Sequence, residues 1–255
     1  MFCEISALSA FQDLFLNIFL IEGLQIFMSS LTFPLPVKAV LIDLDGTLLD
    51  TIHDLAEAAN RMLSALDMPL LAVDKIKTFV GKGIPNLVKR TLTESANHVH
   101  PDNELFERAL HEYERHYMSV LTREVLHFPG VEDGLKMMHE AGFKLACVTN
   151  KAERFTLPLL QANGLSEYFD LVVSGDTVEK KKPDPMPLLF AAERFGIAPH
   201  EMVLIGDSVN DYQAARAAGC AVFIVPYGYN EGEDATKLPA DAIVAGLVEA
   251  AKLLD

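Results

Sequence analysis

From Lys38 onward, short apolar runs alternate with segments whose apolar residues recur every three or four positions. The first run, "KAVLID", has the length and β-branched content of a buried strand, and an Asp-Gly turn signal ends it. The segment that follows, "TIHDLAEAANRMLSALD", has apolar residues spaced by about 3.6 positions and predicts a helix. Up to His127 only helical patterns follow: "VDKIKTFV", "IPNLVKRTL" and "ELFERALHEYERHYMSVL".

After "HFPG" the pattern changes to alternating helices and strands. "FKLACVTN", "FDLVVSG", "EMVLIGD" and "CAVFIV" are apolar runs of strand length, separated by amphipathic segments, and "DAIVAGLVEAAKLL" predicts one closing helix. Apolar strands separated by helices are typical of a parallel sheet that is covered on both faces. The pattern therefore predicts an α/β fold.

The helical stretch after the first strand is too long for an ordinary crossover connection. We interpret residues 52–127 as a helical domain inserted over the carboxyl ends of the strands, where open parallel sheets bind ligands. Residues 38–51 and 128–255 then form the core domain. Residues 1–37 form an apolar N-terminal extension.

The first 33 residues differ in composition from the rest of the chain. They contain no Lys or Arg, so the basic region of a secretory signal is missing. Glu4, Asp13 and Glu22 interrupt the apolar run before it reaches the ~18 residues of a membrane span. The pattern fits an amphipathic helix that binds a membrane surface or a partner, or an extension ahead of a start at Met28.

Charge and cysteine content restrict the classes of partner. Lys and Arg number 21 and Asp and Glu number 36, which gives a net charge of −15. Such a field repels nucleic acids and anionic membranes, so we expect neither as a partner. Three cysteines without C-x-x-C spacing argue against a disulfide framework and favour a reducing, cytoplasmic location.

Four groups of polar residues each follow an apolar strand or lie in the loop after one. They are Asp43 with Asp45, Thr149 with Asn150, Lys182 before "PDP", and Asp207 with Asp211. Because the carboxyl ends of parallel strands meet at one edge, we expect all four groups to converge. Two carboxylates 4 Å apart repel by roughly 4 kcal/mol at an effective dielectric constant of about 20, so the cluster requires a cation or protons. Oxygen-only ligation fits Mg²⁺.

The spacing of Asp43 and Asp45 raises a geometric problem. Alternate residues of a strand point to opposite faces, so the two carboxylates cannot share one centre while the strand stays regular. We therefore expect the chain to leave strand geometry after Asp43. Gly46 provides the backbone freedom for that departure.

"DLDGTLLDT", "VTN", "KKPDP" and "GDSVND", in this order and each behind a predicted strand, together resemble the haloacid dehalogenase-like phosphatases. The resemblance extends from Val40 to about Val225. It implies a Rossmann-like core with the helical insertion as its cap. It also implies Mg²⁺-dependent hydrolysis of a small phosphomonoester through an aspartyl-phosphate intermediate.

The resemblance also implies roles for the residues at the first two strand ends. Asp43 would attack phosphorus and bind Mg²⁺ through its other oxygen. Asp45 would act as general acid and then as general base, and its backbone carbonyl would bind the metal. Thr149 and the backbone amide of Asn150 would bind the phosphoryl oxygens. A helix N-cap is the alternative role for Thr149.

The remaining two groups would supply charge around the phosphoryl group. By the resemblance, Lys182 would neutralise both the nucleophile and the transferring group, whereas Lys180 and Lys181 fit a solvated loop. Asp207 would bind Mg²⁺ directly. Asp211 would bind the metal through water or orient a neighbour, and the alternative is an acidic residue in the first turn of a helix.

The position of Asp45 and the inserted segment bear on the substrate. In the family an acid two residues after the nucleophile implies phosphate-ester chemistry and disfavours dehalogenation. "FVGKGIPNLVKRTL", with "DLDGTLLDTIHDLAEAANRML", is similar to the phosphoglycolate phosphatase family, which implies hydrolysis of 2-phosphoglycolate to glycolate and phosphate. Lys82, between Gly81 and Gly83, would then bind the substrate carboxylate. An ordinary helix–helix turn is the alternative.

Other functions share the same core residues. A sugar-phosphate phosphatase, for example one that acts on N-acetylmuramate 6-phosphate, and a β-phosphoglucomutase-like mutase stay open as alternatives. A phospho-acceptor signalling domain also combines acidic residues, a Thr and a Lys. Such a domain is about half this length and has no helical insertion, so the enzyme is favoured.

Overall fold

The computed structural model describes residues 32–255. Residues 36–255 form one compact unit. The two interpretations of the N-terminal segment, an amphipathic helix or an extension ahead of Met28, lie outside the described residues.

Eight strands form two sheets in the described part of the chain. They are β1 (Ala39–Ile42), β2 (Leu49–Asp50), β3 (Leu126–His127), β4 (Lys144–Val148), β5 (Leu171–Val173), β6 (Met202–Gly206), β7 (Ala221–Ile224) and β8 (Ala242–Ile243). Six of them pair in parallel, in the order β5-β4-β1-β6-β7-β8, and β2 and β3 form a separate antiparallel pair. Every residue of the central strands β1 and β6 is buried, as expected for a sheet covered on both faces.

Nine α-helices accompany the strands between residues 32 and 255. They are α1 (Ile52–Ala65), α2 (Val73–Lys77), α3 (Ile84–Ser95), α4 (Asn103–Val120), α5 (Val131–Glu140), α6 (Glu153–Ala162), α7 (Met186–Phe195), α8 (Val209–Ala218) and α9 (Leu247–Lys252). The first four lie between β2 and β3, and the others alternate with or follow the strands of the large sheet. The predicted fold class, a parallel α/β sheet with an all-helical insertion, is confirmed.

The helical insertion begins and ends at the small antiparallel sheet, where Leu49 pairs with His127 and Asp50 with Leu126. Its apolar core includes the fully buried Tyr113 and Tyr117 of α4.

This apolar core also includes Phe155 of α6 and Tyr229 after β7, so it continues into the part of the chain that carries the large sheet. The division into a cap of residues 52–127 and a core of residues 38–51 and 128–255 stays a prediction.

The prediction of one helix over "DAIVAGLVEAAKLL" is wrong. Ala242 and Ile243 form β8, which pairs with Phe223 and Ile224 of β7 at the edge of the sheet, and the helix α9 begins only at Leu247. Apolar spacing alone does not separate a short edge strand from the first turn of a helix. The strands β2 and β3 were not predicted either, because each has only two residues.

The structure also bears on the membrane spans and the cysteines considered in the sequence analysis. None of the helices described in residues 32–255 combines the length and the apolar character needed to span a bilayer. Within the same residues, Cys147 and Cys220 are free and buried.

Candidate active site

The turn after β1 brings both predicted aspartates to one cavity. The strand ends at Ile42, one residue before Asp43, and Leu44 N donates a hydrogen bond of 2.8 Å to Asp43 Oδ1. Gly46 has a φ of +88°, and a Cβ at this position would lie 2.4 Å from Asp207 Oδ2. A side chain therefore cannot be accommodated at Gly46, and the turn that it permits places Asp43 and Asp45 on the same cavity wall.

Three carboxylates form a compact cluster at the edge of the sheet. One oxygen from each of Asp43, Asp207 and Asp211 lies within 4.8 Å of the others. Burial raises the pKa of Asp43 to about 7, against the lowering effect of Lys182, and the charge of Asp211 adds to the rise. Burial and the charges of Asp211 and Asp43 raise the pKa of Asp207 to about 8. The oxygen-only donor set fits a hard divalent cation, which would replace the protons.

Lys182 connects the nucleophile candidate to the rest of the cluster. Its Nζ lies 3.0 Å from Asp43 Oδ1 and 2.7 Å from Asp211 Oδ1, and it donates to Val148 O at 2.6 Å. Lys182 is only 3% exposed. Burial alone would lower the pKa of its ammonium, but the two carboxylates raise it, so the group is charged.

Asp211 has two structural tasks at once. Its Oδ1 accepts from Lys182, and its Oδ2 accepts from Ser208 N at 3.1 Å and from Ser208 Oγ at 2.6 Å. The contacts with Ser208 cap the N-terminus of helix α8. Asp211 is thus an acidic residue in the first turn of a helix, which was the alternative role given for it in the sequence analysis. These contacts orient Lys182 through Asp211, and metal binding by Asp211, directly or through water, stays a prediction.

Thr149 and Asn150 follow β4 and line the same cavity. Thr149 Oγ1 accepts a hydrogen bond of 3.2 Å from Lys151 N, and the N-cap of the next helix is Ala152, so Thr149 is not that cap. Asn150 Nδ2 donates to Gly81 O and to Lys182 O, both at 2.8 Å. Asn150 therefore connects the helical insertion to the loop that carries Lys182.

Among the predicted site residues, Lys182 and Asp211 join the carboxylate cluster behind the cavity lining, whereas Lys82 neither lines the cavity nor joins the cluster. The Nζ of Lys82 lies 2.5 Å from Glu231 Oε1, and Arg90 contacts the other oxygen of Glu231 at 2.8 Å. Gly81 and Gly83 do line the cavity, whereas the Lys82 side chain is 43% exposed and lies beside a different surface depression. A contact between Lys82 and a substrate carboxylate stays a prediction.

Lys151 is a site residue that sequence analysis did not find. It is 3% exposed, and its Nζ lies 3.0 Å from Asp45 Oδ1 and donates to Tyr117 OH at 2.7 Å. Asp45 Oδ1 also accepts from Thr51 Oγ1 at 2.6 Å. The available signal was a lysine directly after "VTN", at the end of a buried strand.

A loop after β7 also contributes to the site and was not predicted. Tyr229 N donates to Asp207 Oδ2 at 2.6 Å, and Tyr229 OH accepts from Thr51 N and donates to Asp50 Oδ1, both at 2.8 Å. A Cβ at Gly228 would lie 2.1 Å from Asp207 Oδ2, so this loop approaches the carboxylate too closely for a side chain. The signal was "PYGYN" after the strand "CAVFIV".

The cavity has unlike walls. The sheet edge contributes the polar residues and the helical insertion contributes Leu55, Val80, Ile84 and Leu87. The cavity volume is about 40 Å³. The space between the carboxylates and the insertion is therefore suited to a small substrate.

The fold and the cluster of aspartates beside a buried lysine are typical of one class of enzyme. A comparison with family models identifies this class. The model described as haloacid dehalogenase-like hydrolase matches residues 40–225, which is more than half of the chain. The chain belongs to this family, as the four strand-end motifs indicated.

Individual relatives narrow the class. The chain is 60% identical to a phosphoglycolate phosphatase of Nitrosospira multiformis, with 87% of this chain and 97% of the relative covered. It is 52% identical to a phosphoglycolate phosphatase of Thiobacillus denitrificans, with 88% and 98% covered. Within the hydrolases the chain is thus a member of the phosphoglycolate phosphatase family, and it is a phosphatase.

A solved structure agrees with this assignment. The crystal structure of a predicted phosphoglycolate phosphatase from Haemophilus somnus has a TM-score of 0.82 to this chain at 29% identity. The match covers 85% of this chain and 97% of the other. The fold is therefore shared over nearly the whole of the solved protein.

Proposed function

We propose that the protein hydrolyses 2-phosphoglycolate to glycolate and phosphate in a Mg²⁺-dependent reaction with an aspartyl-phosphate intermediate. The observation that carries the proposal is the cluster of Asp43, Asp207 and Asp211 around the ammonium of Lys182. This cluster lies in a chain whose relatives are named phosphoglycolate phosphatases. Free, buried thiols at Cys147 and Cys220 support a cytoplasmic location.

The chemistry divides between the two aspartates of the first turn. Asp43 attacks phosphorus, so that a carboxylate oxygen–phosphorus bond forms while the bond from phosphorus to the ester oxygen breaks. Asp45 gives a proton to the departing glycolate oxygen. It then takes a proton from the water that attacks the acyl phosphate, which releases phosphate and restores Asp43.

The other polar residues hold charge in place during both steps. Lys182, fixed by three contacts, faces the negative charge on Asp43 and on the transferring group. Thr149 and the backbone amide of Asn150 bind phosphoryl oxygens. Asp43, Asp207 and the backbone carbonyl of Asp45 would hold Mg²⁺, which neutralises the anionic phosphate when bound.

The cavity supports a small substrate over a sugar phosphate. Its helical wall is apolar, and sugar hydroxyl groups placed against Leu55, Val80, Ile84 or Leu87 would lose hydrogen bonds to water without replacement. 2-Phosphoglycolate has only one carbon between its ester oxygen and its carboxylate. It therefore requires little space beyond the phosphate position.

Steady-state kinetics on a panel of phosphomonoesters test the proposal. The panel contains 2-phosphoglycolate, N-acetylmuramate 6-phosphate, β-glucose 1-phosphate and p-nitrophenyl phosphate, each with Mg²⁺ and with a chelator. We expect the highest kcat/KM for 2-phosphoglycolate, by at least about tenfold, and no turnover without the metal. A higher kcat/KM for a sugar phosphate would refute the substrate. Turnover that survives chelation would refute the metal dependence.

A further inference from the structure

Lys151 is a buried cation at the cavity that the reaction steps above do not use. Of the charged side chains that line the cavity, Asp43, Asp45 and Asp207 are acidic and Lys151 is basic. Lys182 does not line the cavity and, among the described residues, contacts Asp43, Asp211 and Val148 O. Lys151 is therefore the cavity-lining cation that could pair with a second anionic group of a substrate.

The ammonium of Lys151 is held in position before any substrate binds. It contacts Asp45 Oδ1 at 3.0 Å and Tyr117 OH at 2.7 Å, and it lies 4.8 Å from the centre of the Tyr117 ring. An ammonium has three N–H donors, and these two oxygens account for two of them among the described residues. Because the group is already fixed, a ligand does not have to order it.

The distance from Lys151 to Asp45 decides which part of a substrate it reaches. Asp45, as proton donor, must approach the ester oxygen to within about 2.6–3.2 Å. In 2-phosphoglycolate one methylene group separates that oxygen from the carboxyl carbon. A cation 3.0 Å from Asp45 therefore lies within reach of the substrate carboxylate.

We propose that Lys151 binds the carboxylate of the substrate and thereby selects phosphate esters that carry an anionic group one carbon from the ester oxygen. This inference rests on the proposed function. It gives the carboxylate a partner inside the cavity, whereas Lys82 lies outside and is paired with Glu231. Tyr117, which belongs to the helical insertion, accepts a hydrogen bond from Lys151 through its hydroxyl group. We therefore regard it as a positioning residue, which acts on the substrate only through Lys151.

A comparison of two matched substrates tests the inference. 2-Phosphoglycolamide has the shape of 2-phosphoglycolate without its carboxylate charge. We expect Lys151→Met to lower the ratio of kcat/KM for the acid to kcat/KM for the amide by at least about 30-fold, because a buried ion pair loses one partner. Lys82→Met is the matched control, and we expect it to leave the ratio within about twofold, as for an exposed ion pair.

Equal losses on both substrates in Lys151→Met would overturn the inference, since Lys151 would then only position Asp45. A selective loss in Lys82→Met without one in Lys151→Met would overturn it in favour of Lys82. A failure of the proposed function itself is distinguishable from these outcomes. It would appear in the panel of phosphomonoesters as a preference of the wild-type enzyme for a different substrate.

Calorimetry keeps the test decisive if Lys151→Met turns over too slowly to measure. Asp43→Asn provides a background in which the substrate stays intact, and Mg²⁺ is present throughout. When Lys151→Met is combined with Asp43→Asn, we expect binding of 2-phosphoglycolate to weaken by at least about 30-fold. Binding of 2-phosphoglycolamide should weaken far less. Equal binding of the acid with and without Lys151 would overturn the inference. Circular dichroism melting curves confirm that each variant is folded.

Discussion

The two walls of the cavity differ in how their residues are fixed. At the sheet edge, the partners of Lys182 and Asp211 in residues 32–255 lie at or just after strands of the large sheet, among them Val148 O and Ser208. The opposite wall belongs to the helical insertion and presents apolar side chains such as Leu87. We therefore expect the sheet edge to carry out phosphoryl transfer and the insertion to limit which groups can be attached to the phosphate.

The two buried lysines of the site, Lys182 and Lys151, differ in the same way. Lys182 and Lys151 are both 3% exposed, and each contacts one aspartate of the turn after β1. The partners of Lys182 among the described residues, Asp43, Asp211 and Val148 O, all lie at or after strands of the large sheet, but Lys151 also donates a hydrogen bond to Tyr117 of the insertion. A change at Lys182 should therefore affect every substrate, and a change at Lys151 should affect some more than others.

The largest effect should follow from removal of the nucleophile at the sheet edge. Asp43→Asn retains the shape of the side chain but cannot attack phosphorus as a carboxylate. We expect a loss of at least about 10⁴-fold in kcat, because other enzymes lose this much or more without their nucleophile. The loss should be equal for 2-phosphoglycolate and p-nitrophenyl phosphate, as measured by phosphate release with Mg²⁺.

Asp133→Asn provides the control for this change. Asp133 is an exposed carboxylate in the first turn of α5, so its substitution alters the net charge equally but leaves the site intact. We expect full activity in that variant. Turnover in Asp43→Asn within tenfold of the wild-type rate would exclude Asp43 as nucleophile and remove the contrast between the walls.

A smaller effect should appear in the dependence of stability on pH. In the unfolded chain an aspartate has a pKa of about 4, whereas burial raises the pKa of Asp43 to about 7 and of Asp207 to about 8. Between these values the folded state binds more protons than the unfolded state. The stabilising contribution is therefore complete below about pH 4 and is lost as the pH rises through 7 to 8.

Melting temperatures with a chelator and with Mg²⁺ measure this dependence. Without metal, the contribution of the two aspartates should lower the Tm between pH 6 and pH 8.5, and Mg²⁺ should restore more of it at the higher pH. Asp207→Asn removes one of the raised carboxylates and should flatten the dependence. A difference between wild type and Asp207→Asn that does not change with pH would contradict the prediction. The carboxylates at the sheet edge would then not have raised pKa values in the folded protein.

The sheet edge was also the part that the sequence predicted best. Asp43, Thr149 and Asp207 follow apolar strands, and strand order alone brings such residues to one edge. The insertion was predicted as helical because the apolar periodicity is local. Its contacts with the core, such as Asn150 to Gly81 and Lys151 to Tyr117, join residues far apart in the chain.

Lys82 shows why those contacts escaped prediction. Gly81 and Gly83 did indicate a turn near the site, but a turn does not specify the direction of its side chain. That direction depends on Glu231, which has a positive φ of 53° in a loop after β7. A backbone conformation of this kind has no periodic signal in the sequence.

Glu231 also provides a way to sharpen the contrast between the walls. It accepts ion pairs from Lys82 and Arg90 of the insertion, and its own loop follows the core strand β7. Burial alone would raise the pKa of Glu231, but the two cations lower it. The group is thus a charged bridge between the insertion and the sheet edge, at the rim of the site.

Glu231→Gln should produce the smallest of these effects. Loss of two partly exposed ion pairs should raise KM for 2-phosphoglycolate by about two- to fivefold, with kcat unchanged, because the insertion is held less firmly over the bound substrate. The control is Glu112→Gln, which removes an ion pair with Arg115 inside α4 and should leave KM unchanged. A fall in KM in Glu231→Gln would instead mean that the freed Lys82 reaches the substrate, and the insertion would then contribute charge as well as apolar surface.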